Sequence, residues 1–122
     1  ISGLIDPGKR KVMKLALLEF IQYGLPYVFP AIKGPVTVGI PTAWSSPYMS
    51  NRIISKEHLV WPYAKGTVRG GSILPLYPGA IDAAQSDEVL YHILTLLDVM
   101  RIGKVREKEV AIQELKRIIK NA

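Results

Sequence analysis

Hydrophobic periodicity divides the chain into helical ends and an irregular middle. Near the N-terminus, Val12, Met13, Leu15, Ala16, Leu17, Phe20 and Ile21 wrap most of a helix circumference. They leave a narrow polar stripe of Lys11, Lys14 and Gln22 with Leu18 among them. Asp6-Pro7 provides an N-cap acceptor followed by a residue whose missing N–H costs nothing in a first turn. The spacing therefore predicts a mostly buried helix from about Pro7 to Tyr23. Gly24 is expected as a left-handed C-cap and Pro26 as the stop.

The C-terminal third is equally periodic. Ser86-Asp87-Glu88 places an N-cap and acids at a helix start, and Val89, Leu90, Ile93, Leu94, Leu96, Leu97 and Met100 form one apolar face. Gly103 breaks the pattern. A second amphipathic helix from Lys104 to Lys120 then carries Val105, Ile112, Leu115 and Ile119 at core spacing, predicting an antiparallel or sharply angled helix pair.

Between these ends the alternation is poor. Eight of the nine prolines lie between Leu25 and Pro78, which argues against long helices and central strands. Val36-Thr37-Val38 and Thr67-Val68-Arg69 are β-branched and flanked by turn residues, so they are expected to be strands. The stretch from Ser55 to Leu59 reads as one helical turn before Pro62. The expected fold class is α+β: an N-terminal buried helix, a Pro-rich middle with a small antiparallel sheet, and a C-terminal amphipathic helix pair. At 122 residues the chain fits one domain.

Composition narrows the chemistry. The chain contains no cysteine, which removes zinc-ribbon, thiol and disulfide readings. It is 48% hydrophobic, yet no apolar run reaches the ~18 residues needed to span a bilayer. The segment after Lys9-Arg10-Lys11 lacks a small-residue cleavage site and contains Glu19, unlike a secretory signal. A cytoplasmic protein without membrane association is expected. His58 and His92 lack a partner at i+3 or i+4, so neither suggests a metal site. Asp82, Asp87, Glu88 and Asp98 read as turn, cap and exposed helix residues, and no Ser-His-Asp motif is present. No enzyme activity and no cofactor are expected.

The net charge of +6 brings polyanions into view. Up to Tyr63 the chain holds seven Lys/Arg against three Asp/Glu, and beyond it nine against seven. Lys9, Arg10, Lys11 and Lys14 form a dense basic cluster in the first turns of a helix, where the macrodipole disfavours them. That cluster reads either as a phosphate contact or as the solvated end of a buried helix. Arg101, Lys104 and Arg106 extend the candidate nucleic-acid-binding set, with Lys108, if the last two helices act as a helix-turn-helix. The alternating signs of Arg106, Glu107, Lys108 and Glu109, followed by Glu114, suit a solvated face better. Gly66, Gly70 and Gly71 around Arg69 lack the Walker spacing and read as a hairpin turn. Trp44, Tyr48, Trp61, Tyr63 and Tyr77 read as core more readily than as a binding groove.

Several linked segments carry a likeness: the helix running into Tyr27-Val28-Phe29-Pro30, the turn Gly39 to Ala43, the Trp61-Pro62 segment continuing through Val68-Arg69-Gly70 to Leu76-Tyr77-Pro78, and the helix start at Arg101-Ile102-Gly103. Together they resemble the region that follows the DNA-binding part in a bacterial family of winged-helix, MarR-like proteins. That resemblance implies a transcriptional regulator or an antitoxin, some members sitting beside nucleotidyltransferase-type toxins. It also implies that the recognition helix lies upstream of Ile1 and that this chain is a C-terminal regulatory or interaction domain. The expected partners are DNA through the full-length protein, a toxin-like partner protein and further copies of the chain. A nucleic-acid-coating or virion structural protein is the alternative.

Overall fold

The computed structural model describes residues 7–47, 49 and 58–121. The architecture is α+β: helices from both ends of the chain enclose a three-stranded sheet made by the Pro-rich middle. Helix α1 (Pro7–Glu19) runs into a π-helical turn (Phe20–Gly24) and then into the short α2 (Leu25–Val28). Strand β1 (Val36–Pro41) is followed by a 3-10 turn (Ala43–Ser45), β2 (Leu59–Pro62) and β3 (Val68–Ser72). Helices α3 (Ala80–Ser86), α4 (Glu88–Ile102) and α5 (Val105–Lys120) complete the order.

The N-terminal helix does not stop where its glycine suggested. Gly24 has φ −104 and ψ −39, which is right-handed, so the chain continues into α2 instead of capping. The cause lies two residues on. Pro26 has no N–H to donate back into the preceding turn, and the Leu25 N–H bonds to the Phe20 carbonyl across the wider π-helical spacing. Burial also differs from expectation. Leu18, Ile21 and Leu25 face the core, whereas Met13, Leu15, Leu17 and Phe20 stay exposed. Helix α1 packs through Leu18 against the body and leaves Met13, Leu15 and Leu17 outside. Asp6, Tyr48 and residues 50–57, including most of the helical turn expected at Ser55 to Leu59, lie outside the described residues, while Leu59 itself opens β2.

The sheet is small and mixed. β1 pairs antiparallel with both β2, through Gly39↔Pro62, and β3, through Val36↔Gly71, but β2 and β3 run parallel and close the three strands on one another. The purely antiparallel sheet expected from the sequence is corrected on that edge, and the second strand predicted at Thr67–Arg69 runs to Ser72. So tight a closure brings backbones together. A Cβ on Gly39 would lie 2.0 Å from the Trp61 carbonyl oxygen, and one on Gly70 would lie 2.5 Å from that of His58. These glycines are strand residues required by close approach, and Gly70 is not part of a hairpin turn.

The helix pair follows its periodicity except at the two helix starts, where Val89 and Val105, both expected on the apolar face, are 63% and 85% exposed. Asp87, and not Ser86, caps α4 by accepting from the Val89 and Leu90 N–H groups, because Ser86 is already the last residue of α3. His92 and Glu114 stand eleven residues on either side of Gly103 and meet at 3.3 Å, so α4 and α5 are antiparallel. Their shared core gathers Leu96, Val99, Met100, Ala111, Ile112 and Leu115 with Leu18, Ile21 and Leu25 from the N-terminus and Trp44, Met49, Leu59 and Ile73 from the middle. A second cluster sets Trp61 against Ala80, Ala84 and Leu94.

Replacing Gly39 or Gly70 with alanine is expected to destabilise the fold by about 1–3 kcal/mol, because backbone carbonyls have nowhere to retreat. The shift of the urea denaturation midpoint measures this.

Candidate functional site

Among the charged groups, the most heavily constrained is a pair inside the fold. Asp98 is 1% exposed and lies on the inward face of α4. Its Oδ2 accepts from the Thr42 hydroxyl at 2.6 Å and from the Trp61 indole N–H at 2.7 Å, and its Oδ1 accepts from Arg101 Nη1 at 2.8 Å. Arg101 lies one helical turn on, with its side chain 6% exposed, and also donates to the Phe29 carbonyl at 2.9 Å and the Leu74 carbonyl at 3.2 Å. The Tyr91 hydroxyl, on the same helix, donates to the Pro41 carbonyl, and its ring centroid lies 5.8 Å from that of Trp61.

Burial pushes the Asp98 carboxyl above the ordinary carboxylate range, and the Thr42 hydroxyl, the Arg101 charge and the Trp61 indole pull it back. All three partners donate, as a charged carboxylate requires. The sequence expected Asp98 to be an exposed helix residue and Arg101 to be a phosphate contact. The structure departs from both expectations: Asp98 is buried, and the Arg101 guanidinium, its side chain 6% exposed, donates to one carboxylate and two carbonyls inside the protein.

Local backbone geometry serves this centre. Ala43 has φ 53, the only positive φ on a non-glycine among the described residues. Such a conformation costs about 1–3 kcal/mol and persists only where its surroundings enforce it. Here the reversal turns the Thr42 hydroxyl toward Asp98 while Trp44 enters the larger core cluster.

A second buried acid ties the helix pair. Glu114 is 5% exposed and sits between His92 Nε2 at 3.3 Å and Arg117, which donates to both carboxylate oxygens. This corrects the solvated-face reading of Glu114, whose side chain turns toward α4. It also accounts for His92, while His58 is exposed at the start of β2.

The remaining basic candidates gather at one end. Lys9 and Arg10 lie in the first turns of α1, outside the residues whose side chains are described. Lys11 is exposed and Lys14 half-buried. Lys14 Nζ donates to the Lys120 carbonyl at 3.5 Å, bringing the middle of α1 against the C-terminus of α5. A cation at a helix C-terminus is favoured by the macrodipole, so Lys14, unfavourable within its own helix, is compensated by another. Lys11 precedes Lys14 by three residues and Lys116 precedes Lys120 by four, so each pair shares a helix side. The resulting basic end joins segments more than a hundred residues apart, and Lys116 and Lys120 were not singled out from sequence. The only signal for them was the basic close of the last helix. Lys104 and Arg106 are exposed at the opposite end of α5 and do not join this cluster.

Trp44 and Trp61 are buried, Tyr63 is half-buried and Tyr77 remains 40% exposed, while Tyr48 lies outside the described residues. Among the described residues no group of three His, Asp or Glu is placed to hold a metal ion, and no helix is long and apolar enough to cross a membrane. Comparisons with protein-family models, curated proteins and solved structures return no match.

Truncating Asp98 to alanine or Arg101 to methionine is expected to cost about 3–5 kcal/mol each, because each leaves a buried charge unpaired. Combining Asp98→Ala with Arg101→Met should cost clearly less than the sum, which a double-mutant cycle by chemical denaturation measures.

Proposed function

We propose that this chain is the non-catalytic regulatory and dimerisation domain of a bacterial DNA-binding transcriptional regulator or antitoxin, with a second copy docking on the outer side of α1, the π-helical turn and α2. The observation that carries this reading is a run of exposed apolar side chains. Met13, Leu17, Phe20, Tyr23 and Tyr27 follow one another at spacings of four, three, three and four residues, so they adjoin along the helix. Their exposures run from 40% to 85% and together leave on the order of 700 Å² open, close to the ~800 Å² per partner of a standard interface. Isolated exposed apolar residues are ordinary on a monomer, but a contiguous patch of this size is not.

A second copy is the occupant that fits. The five positions carry no charge that would call for a complementary partner, and a helix face packed about a two-fold axis meets its own chemistry. The resemblance of the Phe29, Thr42, Trp61 and Arg101 segments to winged-helix, MarR-like regulators supplies the biological setting.

A specific observation favours a second reading. The convergence of Lys11, Lys14, Lys116 and Lys120 suits a nucleic-acid-coating protein that tracks phosphates without reading bases. The two readings separate experimentally. Leu17→Glu combined with Phe20→Glu, both at exposed sites, is expected to convert a discrete dimer into a monomer by sedimentation velocity. A monomeric parent chain, or an unchanged dimer in the variant, would sink the dimerisation reading. For the coating reading, Lys11→Ala with Lys116→Ala and Lys120→Ala should flatten the slope of log affinity against log salt by roughly 2–3, near 0.9 per lost phosphate contact.

A further inference from the structure

We propose that the second copy docked on the apolar stripe also covers a patch made by Phe29, Ile32 and Leu74, so that a single self-association surface runs from α1 past the end of α2 to the loop after β3. This rests on the dimerisation reading above and extends it to two loops that the stripe does not include.

The sequence sets these loops apart. From Leu25 to Ile32 and from Ile73 to Pro78 no residue is charged, and Tyr27 and Tyr77 are the only side chains there that can form hydrogen bonds. Connecting segments that meet water are ordinarily polar. Here Ile32 is 84% exposed and Leu74 75% exposed.

The backbone brings the two loops together. The Gly34 N–H donates to the Ser72 carbonyl at 2.7 Å and the Ser72 N–H to the Pro35 carbonyl at 3.1 Å, so the chain entering β1 continues antiparallel to the chain leaving β3 beyond the pair Val36↔Gly71. Ile32 stands two residues before Gly34 and Leu74 two after Ser72, which makes them neighbours across that ladder. One guanidinium then holds both loops, since Arg101 donates to the Phe29 and Leu74 carbonyls. The Phe29 N–H bonds to the Leu25 carbonyl at 2.9 Å. A partner covering the patch therefore leaves none of these backbone groups without a hydrogen bond.

The patch is continuous with the stripe. Tyr27, Val28 and Phe29 are consecutive and each is at least 43% exposed, so the last member of the stripe passes into the patch without a polar break. Val28, Phe29, Ile32 and Leu74 bring the open apolar surface to on the order of 1,000 Å², above the ~800 Å² per partner of a standard interface and toward the larger, more apolar surfaces of obligate homodimers. A surface uncharged over that length offers a charged partner nothing to recognise and offers a second copy its own chemistry.

Sedimentation velocity over a dilution series of the intact chain tests this. Ile32→Glu combined with Leu74→Glu, both at exposed sites, is expected to raise the dimer dissociation constant at least about hundredfold, with the urea midpoint of the monomer unchanged. Val89→Glu, at an exposed apolar position at the opposite end of α4 from Arg101, should leave that constant as it is. The Ile32 and Leu74 methyl resonances should shift between the parent dimer and the Leu17→Glu/Phe20→Glu monomer, and those of Val89 should not. A dimer that dissociates through the Leu17/Phe20 pair but not through the Ile32/Leu74 pair, Ile32 and Leu74 methyls that do not respond, or equal weakening by Val89→Glu would overturn this extension and leave the dimerisation reading standing. A monomeric parent chain would overturn both.

Discussion

A carboxylate and a guanidinium, both removed from water, organise this fold. Asp98 and Arg101 would each carry a desolvation penalty of several kcal/mol if left alone, and their mutual attraction offsets it only with the help of further hydrogen bonds. Those bonds come from four other parts of the chain: the Thr42 hydroxyl, the Trp61 indole and the Phe29 and Leu74 carbonyls. The requirement is directional in a way that apolar packing is not. A leucine core tolerates small shifts, whereas a buried guanidinium with a carbonyl out of reach does not. The middle of the chain has little regular structure of its own, and the pair gives it fixed points. The strained conformation of Ala43 fits this picture, since its cost is carried by the bond from Thr42 to Asp98.

The helical ends were legible in the sequence because their signals are local. The apolar spacing of α4 and α5, the break at Gly103 and the acids before Val89 all act within a few residues. For α1 the helix was readable but its burial was not, since counting apolar positions says which residues can be buried and not how much partner surface exists to cover them. The π-helical turn follows from Pro26, yet the same proline read more simply as a stop. Strand β2 was missed because Leu59 to Pro62 is too short to show alternation and ends on a proline. Its parallel pairing with β3 depends on glycines whose role is visible only once the backbones approach.

The buried centre was the least legible part, although its pieces were in plain view. The segments containing Phe29, Thr42, Trp61 and Arg101 each contribute one group to the same site. Nothing in their spacing reveals this, because Arg101 reaches back 72 residues to Phe29 and 27 to Leu74. Asp98 and Arg101 look, in sequence, like an ordinary i,i+3 pair on a solvated helix. The shared chemistry gives the segments a structural reason to occur together that does not depend on reading DNA.

Directing so many polar groups inward has a consequence for the surface. The internal network is built from residues after Val28, and among the described side chains α1 supplies Leu18 to the main cluster, with Ile21 from the π-helical turn and Leu25 from α2. The first helix is therefore attached by a narrow apolar seam and by Lys14 at the end of α5, while Met13, Leu15 and Leu17 stay exposed. A helix so attached has a weaker hold on the body than α4, which carries both members of the buried pair. Its orientation is the degree of freedom most open to adjustment by whatever covers its outer face.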